Sequence, residues 1–102
     1  MTKSTLKRLQ DWYATGCDGG WEHQYGVQID TLDNPGWEFG IDLEGTALEG
    51  ATFADFSLER NDDDWVRCRI REGRFEGFCG AENLEEALVL FLDWADGSSG
   101  SS

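Results

Sequence analysis

Apolar and polar residues alternate with a period of two through the middle of the chain, whereas helical spacing is confined to its two ends. Near the start, Leu6, Leu9 and Tyr13 share one stripe and predict a helix over residues 5–13, capped by Ser4 or Thr5. Near the end, Asn83 and Glu86 have capping-box spacing ahead of a second stripe. That stripe consists of Leu84, Ala87, Leu88, Phe91 and Ala95, with Trp94 at its edge.

Five segments between these helices have the pattern of strands. The first strand is predicted over residues 21–30 and the second over 37–44, joined by a turn in which Asn34 opens, Pro35 presets φ and Gly36 supplies a positive φ. Further strands are predicted over 52–59, 65–71 and 75–79. In the 65–71 strand, one face holds Val66, Cys68 and Ile70, and the other holds Trp65, Arg67, Arg69 and Arg71.

This order of elements predicts an α+β fold. We expect an antiparallel β-sheet of about five strands, with an N-terminal and a C-terminal helix packed on one face. Residues 1–96 are long enough for a single domain, and residues 97–102 have the composition of a flexible linker or tag remnant.

Charge changes the picture of what this fold can bind. The chain has 21 acidic and 8 basic residues, a net charge of −13, and no lysine or arginine between Leu9 and Glu59. Such a surface repels nucleic acid and anionic membranes and is complementary to a basic protein. Added solubility is the plainer explanation of the same acidity.

The sequence also leads to expectations about cellular location, oligomeric state and the state of the cysteines. No apolar run approaches the roughly 20 residues of a membrane span, and the first residues lead into an amphipathic stretch rather than a signal peptide. We therefore expect a cytoplasmic monomer. Three cysteines without metal-binding spacing predict reduced thiols, with Cys68 acting as a small buried hydrophobe.

A catalytic site can be sought around Cys17. Cys17, Asp18, Glu22, His23 and Asp33 offer a nucleophile, a base and acids. On the predicted strand, however, His23 faces the core with Trp21 while Glu22 faces away. No metal-binding, phosphate-binding or other cofactor motif is present, so we expect no metal, no cofactor and no enzyme activity.

An enzyme of a different kind remains as an alternative. A sulfurtransferase would use Cys17 as its acceptor, although this residue is followed by Asp18 and not by a basic residue. An adaptor that only binds other proteins is a further alternative.

Carboxylates on the outward face of the first hairpin are a stronger signal. The set comprises Glu22, Asp30, Glu38, Asp42 and Glu44. Like charges at cross-strand distance destabilise a sheet, so folding alone does not favour them. Either Arg67, Arg69 and Arg71 neutralise them across the sheet, or the face binds a basic ligand. With Asp33 in the turn, these residues form the predicted partner-binding set.

The segment from residue 12 to residue 37 resembles the immunity protein 53 family of bacterial polymorphic toxin systems. The resemblance is carried by Trp12-Tyr13, Cys17-Asp18-Gly19, Trp21-Glu22-His23, Tyr25-Gly26 and Thr31-Leu32-Asp33-Asn34-Pro35-Gly36-Trp37. It continues through Ile41-Asp42-Leu43, Asp64-Trp65 and Asn83-Leu84.

This resemblance implies an antitoxin, a small cytosolic protein that binds a cognate toxin domain and occludes it. The toxin is expected to be basic and could be a nuclease, whose cleft an acidic surface would fill as a phosphate mimic. Residues of the family motif are expected to serve the structure. These are Trp21, His23, Asn34, Pro35, Gly36 and Trp37.

Overall fold

The alternating segments pair into one five-stranded antiparallel sheet in the computed structural model, which describes residues 4–98. The helices are α1 (Thr5–Gly16), α2 (Trp21–Gln24) and α3 (Leu84–Ser98). The strands are β1 (Val27–Leu32), β2 (Gly36–Asp42), β3 (Phe56–Asn61), β4 (Asp64–Arg71) and β5 (Arg74–Cys79). Their order across the sheet is β1-β2-β5-β4-β3, so the predicted α+β fold is confirmed.

One face of the sheet packs against α3, which in turn contacts α1. Phe75 lies at the centre of this core, with its ring centroid 5.0 Å from that of Phe91 and 5.5 Å from that of Trp94. Trp12 of α1 reaches the same cluster through an edge contact of 5.1 Å to Phe91. Cys68 and Cys79 are buried here as well, which confirms the prediction for Cys68. Burial raises the pKa of Cys68 to about 12 and that of Cys79 to about 11.

The first helix is longer than predicted, and its apolar stripe is only partly buried. Leu9 lies in the core, but Leu6 is 70% exposed and Tyr13 is 38% exposed. The helix instead contacts α3 partly through charge, since Arg8 lies 2.9 Å from Asp93 and 2.9 Å from Asp96. Hydrophobic spacing therefore predicted the helix correctly and its buried face only in part.

The prediction of a strand beginning at Trp21 was wrong. Residues 21–24 form the single-turn helix α2, and β1 begins only at Val27. Local side-chain hydrogen bonds favour this turn over an extended strand. Asp18 Oδ1 accepts from the backbone N–H groups of Gly20 and Trp21, and the Glu22 carboxylate accepts from those of Asp18 and Gly19.

The turn between β1 and β2 contains a cis Asn34–Pro35 peptide bond, and Gly36 is already part of β2. The predicted positive φ of Gly36 was wrong, because it is not among the glycines in that region of backbone space. Glycine is needed here for a different reason. A Cβ atom at this position would lie 2.4 Å from the carbonyl oxygen of Cys79, closer than two such atoms can approach.

The third strand also begins later than predicted, at Phe56 instead of residue 52. At the other end of the chain, Gly97 and Ser98 continue α3, although they belong to the segment predicted to be a linker. Residues 99–102 of that segment lie outside the described residues, as do residues 1–3. No helix within residues 4–98 is long and apolar enough to cross a membrane.

Candidate binding surface

The sheet face opposite the helices, which we call the outer face, carries opposite charges on its two halves. Strand register defines its central row, which runs from β1 to β3. The row reads Asp30, Glu38, Phe78, Arg67 and Ser57. This row is therefore acidic on β1 and β2, aromatic on β5 and basic on β4.

Asp30 and Glu38 form the acidic end of this row, and we call them the acid pair. They are direct cross-strand partners in the β1–β2 ladder. Asp30 Oδ1 accepts from the backbone N–H of Thr31, 2.9 Å away. Within residues 4–98, neither carboxylate forms an ion pair. Two like charges therefore face each other here, and neither has an ion-pair partner among the described residues.

Asp42 lies on the same strand as Glu38 but is neutralised. Its Oδ1 lies 3.3 Å from Arg74 Nε, and its Oδ2 accepts from the backbone N–H of Gly26 at 3.0 Å. The Arg74 guanidinium lies directly over Gly40, where a Cβ atom would come within 2.2 Å of it, and also donates to Gln28. Asp42 therefore holds the first hairpin to β5.

The other predicted carboxylates lie away from the outer face of the hairpin. Glu22 is in α2 and accepts from backbone N–H groups, so its predicted position on a strand was wrong. Glu44 follows the end of β2 and accepts from the Tyr25 hydroxyl at 3.0 Å, which raises the pKa of Tyr25. Asp33 is exposed in the turn at the end of the hairpin and is not part of the acid pair.

Arginines of β4 do not neutralise the acid pair. Arg69 pairs with Glu76 of the neighbouring strand at 2.8 Å, and its guanidinium carbon lies 5.4 Å from the ring centroid of Phe78. Arg67 lies over the ring of Trp65 at 5.7 Å. Among the described residues, Arg67 and Arg71 form no ion pair. Arg67, Arg69 and Arg71 therefore pair with none of the five predicted carboxylates, and the one carboxylate of that set with an ion pair, Asp42, is met by Arg74 instead.

Tryptophans of the motif occupy structural positions. Trp21 is buried, with its ring 6.0 Å from that of Trp12, and its indole N–H has no hydrogen-bond partner within residues 4–98. Trp37 Nε1 donates to the carbonyl oxygen of Ala81, which ties β2 to the loop before α3. His23, by contrast, is exposed, so its predicted place on the core face was wrong.

Side chains considered for catalysis are engaged in local structure. The Cys17 thiol donates to the carbonyl oxygen of Tyr13 at 3.3 Å, at the C-terminus of α1. The Asp18 carboxylate caps α2, and the hydrogen bonds from Trp21 and Gly20 lower its pKa. Within residues 4–98, no group of histidine, cysteine and acidic side chains could hold a metal ion.

Sequence reasoning missed a polar cluster at the end of the sheet where β4 meets α3. Arg60 lies 2.9 Å from Asp64 and 2.6 Å from Glu86, and buried Asn83 donates to both carboxylates. The guanidinium lowers the pKa of Asp64 and of Glu86, and Asn83 adds to the effect. The capping-box spacing of Asn83 and Glu86 was a partial signal, but it did not reveal Arg60.

The outer face also contains a groove of about 430 Å³ on its basic half. Trp65 and Arg67 of β4 line it together with Phe78 of β5 and Leu32 of β1. Alternation along the sequence placed Trp65 on the same face as Arg67, but it did not assign Phe78 to that face.

The fold and this surface define a small α+β protein that presents an exposed sheet face of mixed charge. A family model described as Immunity protein 53 matches residues 6–96. The chain therefore belongs to the immunity protein 53 family, as the motif predicted, and is an immunity protein. Membership implies that it binds a cognate toxin, and immunity proteins in general act without catalysis. No curated protein and no solved structure matches the chain.

Proposed function

We propose that this immunity protein neutralises its toxin by docking the acid pair, together with Asp33 in the turn at the end of the hairpin, onto a basic surface of the toxin. The main support is that Asp30 and Glu38 are cross-strand partners in β1 and β2, and neither forms an ion pair with a described residue. Such a pair costs folding free energy, since like charges opposite each other destabilise a sheet by about 0.2–1 kcal/mol. A basic partner recovers that cost in the complex.

The toxin is a nuclease in this proposal. A nuclease cleft binds phosphate and is therefore basic, so a ridge of carboxylates can occupy it in place of the substrate. Glu22, Asp42 and Glu44 have intramolecular partners and act at longer range, by adding to the negative potential that steers encounter. Occlusion needs slow release and no turnover.

The test begins with identification of the toxin. Each toxin domain encoded in the source cell is co-expressed with the immunity protein, and growth rescue identifies the cognate one. Affinity is then measured for the double variant Asp30→Asn and Glu38→Gln. We expect at least a tenfold loss of affinity, since close interfacial charge pairs couple by about 1.5 kcal/mol or more. The association rate should fall with it, and most strongly at low salt.

A matched control separates local contact from net charge. The double variant Glu72→Gln and Glu82→Gln removes two exposed carboxylates elsewhere and leaves the same net charge as the acid-pair variant. It should bind the toxin within about twofold of the wild type. Equal losses of affinity in both variants would show that net charge, and not the position of the acid pair, determines binding. Unchanged affinity in the acid-pair variant would refute the proposed surface.

A further inference from the structure

Arg67 stands out because the chain has an excess of acids, yet this arginine has no carboxylate partner among the described residues. The basic side chains that do form ion pairs within the described residues are Lys7, Arg8, Arg60, Arg69 and Arg74. Arg67 and Arg71 lie outside this set, and both are exposed on the outer face. Of the two, only Arg67 lies over an aromatic ring, that of Trp65.

Arg67 lines the 430 Å³ groove together with Trp65, Phe78 and Arg69, and Arg69 is already paired with Glu76. Trp65 precedes it by two residues on β4, and Phe78 is its direct cross-strand partner on β5. Both rings are half-buried, so part of each faces the groove. The Arg67 guanidinium lies 5.7 Å from the centroid of the Trp65 ring, and a guanidinium held over a ring keeps its donors available while its plane is pre-organised. Tryptophan and arginine are also the residues that most often dominate binding at protein interfaces.

We propose that this aromatic–arginine groove binds a segment of the cognate toxin in which an apolar or aromatic side chain lies beside a carboxylate. The apolar side chain packs between Trp65, Phe78 and Leu32, and the carboxylate accepts hydrogen bonds from Arg67. Charge complementarity supports this occupant, because Arg67 forms no ion pair with any described residue and a carboxylate would supply one. Asp55 also lines the groove but forms no ion pair with Arg67.

The inference rests on the proposed function for the identity of the partner and makes it more specific. The toxin surface would then be bipolar, basic opposite the acid pair and acidic and apolar opposite the groove. Such a pattern would also discriminate between toxins, because a uniformly basic toxin would leave Arg67 desolvated without a partner.

The first experiment needs no toxin. Two capped dipeptides, N-acetyl-phenylalanyl-glutamate amide and N-acetyl-phenylalanyl-glutamine amide, are titrated into the labelled protein and followed by NMR. We expect the glutamate peptide to shift the Trp65 indole and the backbone amides of Arg67 and Phe78, with at least threefold tighter binding than the glutamine peptide. Binding that is equal for the two peptides, or absent, would overturn the proposal, particularly as the net charge of −13 disfavours the acidic probe elsewhere on the surface.

Variants assign the effect to one side chain. Arg67→Gln should abolish the preference for glutamate, and Arg71→Gln, which removes the same charge four residues along the strand, should preserve it. Thermal unfolding of both variants checks that the fold is unchanged. Sedimentation of the free protein tests whether a second copy occupies the groove instead, and self-association that Arg67→Gln removes would overturn the assignment to the toxin.

The second experiment uses the toxin that growth rescue identifies. Arg67→Gln should raise its dissociation rate at least tenfold, in line with the loss of an interface hot spot, while Arg71→Gln should change it less than about twofold. An unchanged dissociation rate in Arg67→Gln would overturn the inference. Loss of affinity in this variant together with an intact acid-pair variant would instead uphold the groove and refute the acidic docking surface.

Discussion

Asp30 and Glu38 lie directly opposite each other in the β1–β2 ladder, both on the outer face of the sheet. The ion pairs of the described residues do not include either of them. Asp42, four residues after Glu38 on β2, differs from the acid pair, because its carboxylate forms an ion pair with Arg74 and accepts a hydrogen bond from a backbone N–H. The unmatched acid pair is the basis of the first prediction.

Glu38→Lys should stabilise the free protein while it weakens toxin binding. The substitution converts a repulsive cross-strand pair into an attractive one, which is worth about 0.2–1 kcal/mol in the free energy of unfolding. Urea denaturation at low and high salt measures the gain, which salt should reduce. Adding Asp30→Lys restores the repulsion and should return stability to near the wild-type value. A single variant less stable than the wild type would contradict the assignment of a repulsive pair.

Gly36→Ala should destabilise the protein more than Gly26→Ala. Its new Cβ would meet the carbonyl oxygen of Cys79 at 2.4 Å, so the backbone of β2 or β5 must shift. We expect a loss of about 1–3 kcal/mol in the free energy of unfolding. Gly26→Ala is the matched control, because a Cβ atom added there would have no non-neighbouring heavy atom of the described residues within 4 Å. Equal effects of the two substitutions would show that close approach does not limit position 36.

Stability should fall in acid partly through Asp64 and Glu86. Arg60 lowers the pKa of both carboxyl groups in the folded protein, below their ordinary values of 3.8 and 4.5. Groups with depressed folded pKa values stabilise the fold above the unfolded pKa, and that contribution is lost as the pH falls through the folded pKa. Melting temperatures measured between about pH 6 and pH 3 report this loss.

Arg60→Gln should flatten that pH dependence. Without the guanidinium, the pKa of each carboxyl group moves back toward its unfolded value, so less stability remains to be lost on acidification. Arg71→Gln, which removes a charge that forms no ion pair with a described residue, should leave the profile unchanged. Identical pH profiles for wild type and Arg60→Gln would exclude this cluster as a source of acid sensitivity.

Iodoacetamide should modify Cys17 and spare the other two thiols of the native protein. Cys17 is exposed, whereas Cys68 and Cys79 are buried and have raised pKa values. Mass spectrometry should find one modified thiol under native conditions and three after unfolding. Protection against the toxin should persist after native modification. Loss of protection, or sulfurtransferase turnover that alkylation removes, would favour the thiol enzyme over the binding protein.

Elements with long-range periodicity were predictable, and those held by local side-chain hydrogen bonds were not. β4, β5 and α3 lie where alternation or helical spacing placed them, within one or two residues at their starts. α2 was mistaken for a strand because the apolar pattern of residues 21–29 is extended, while the deciding bonds come from the Asp18 and Glu22 carboxylates. Competition of this kind has no signature in hydrophobic periodicity.

For the binding surface, the sequence by itself determined which residues are charged and, through the period of two, which of them share a face of their own strand. It also carried the motif of the immunity protein 53 family. Only the tertiary structure decided which strands are neighbours. The order β1-β2-β5-β4-β3 places Phe78 between Glu38 and Arg67 and brings Arg74 onto Asp42. Strand order depends on packing between segments distant in sequence, so no local pattern encodes it.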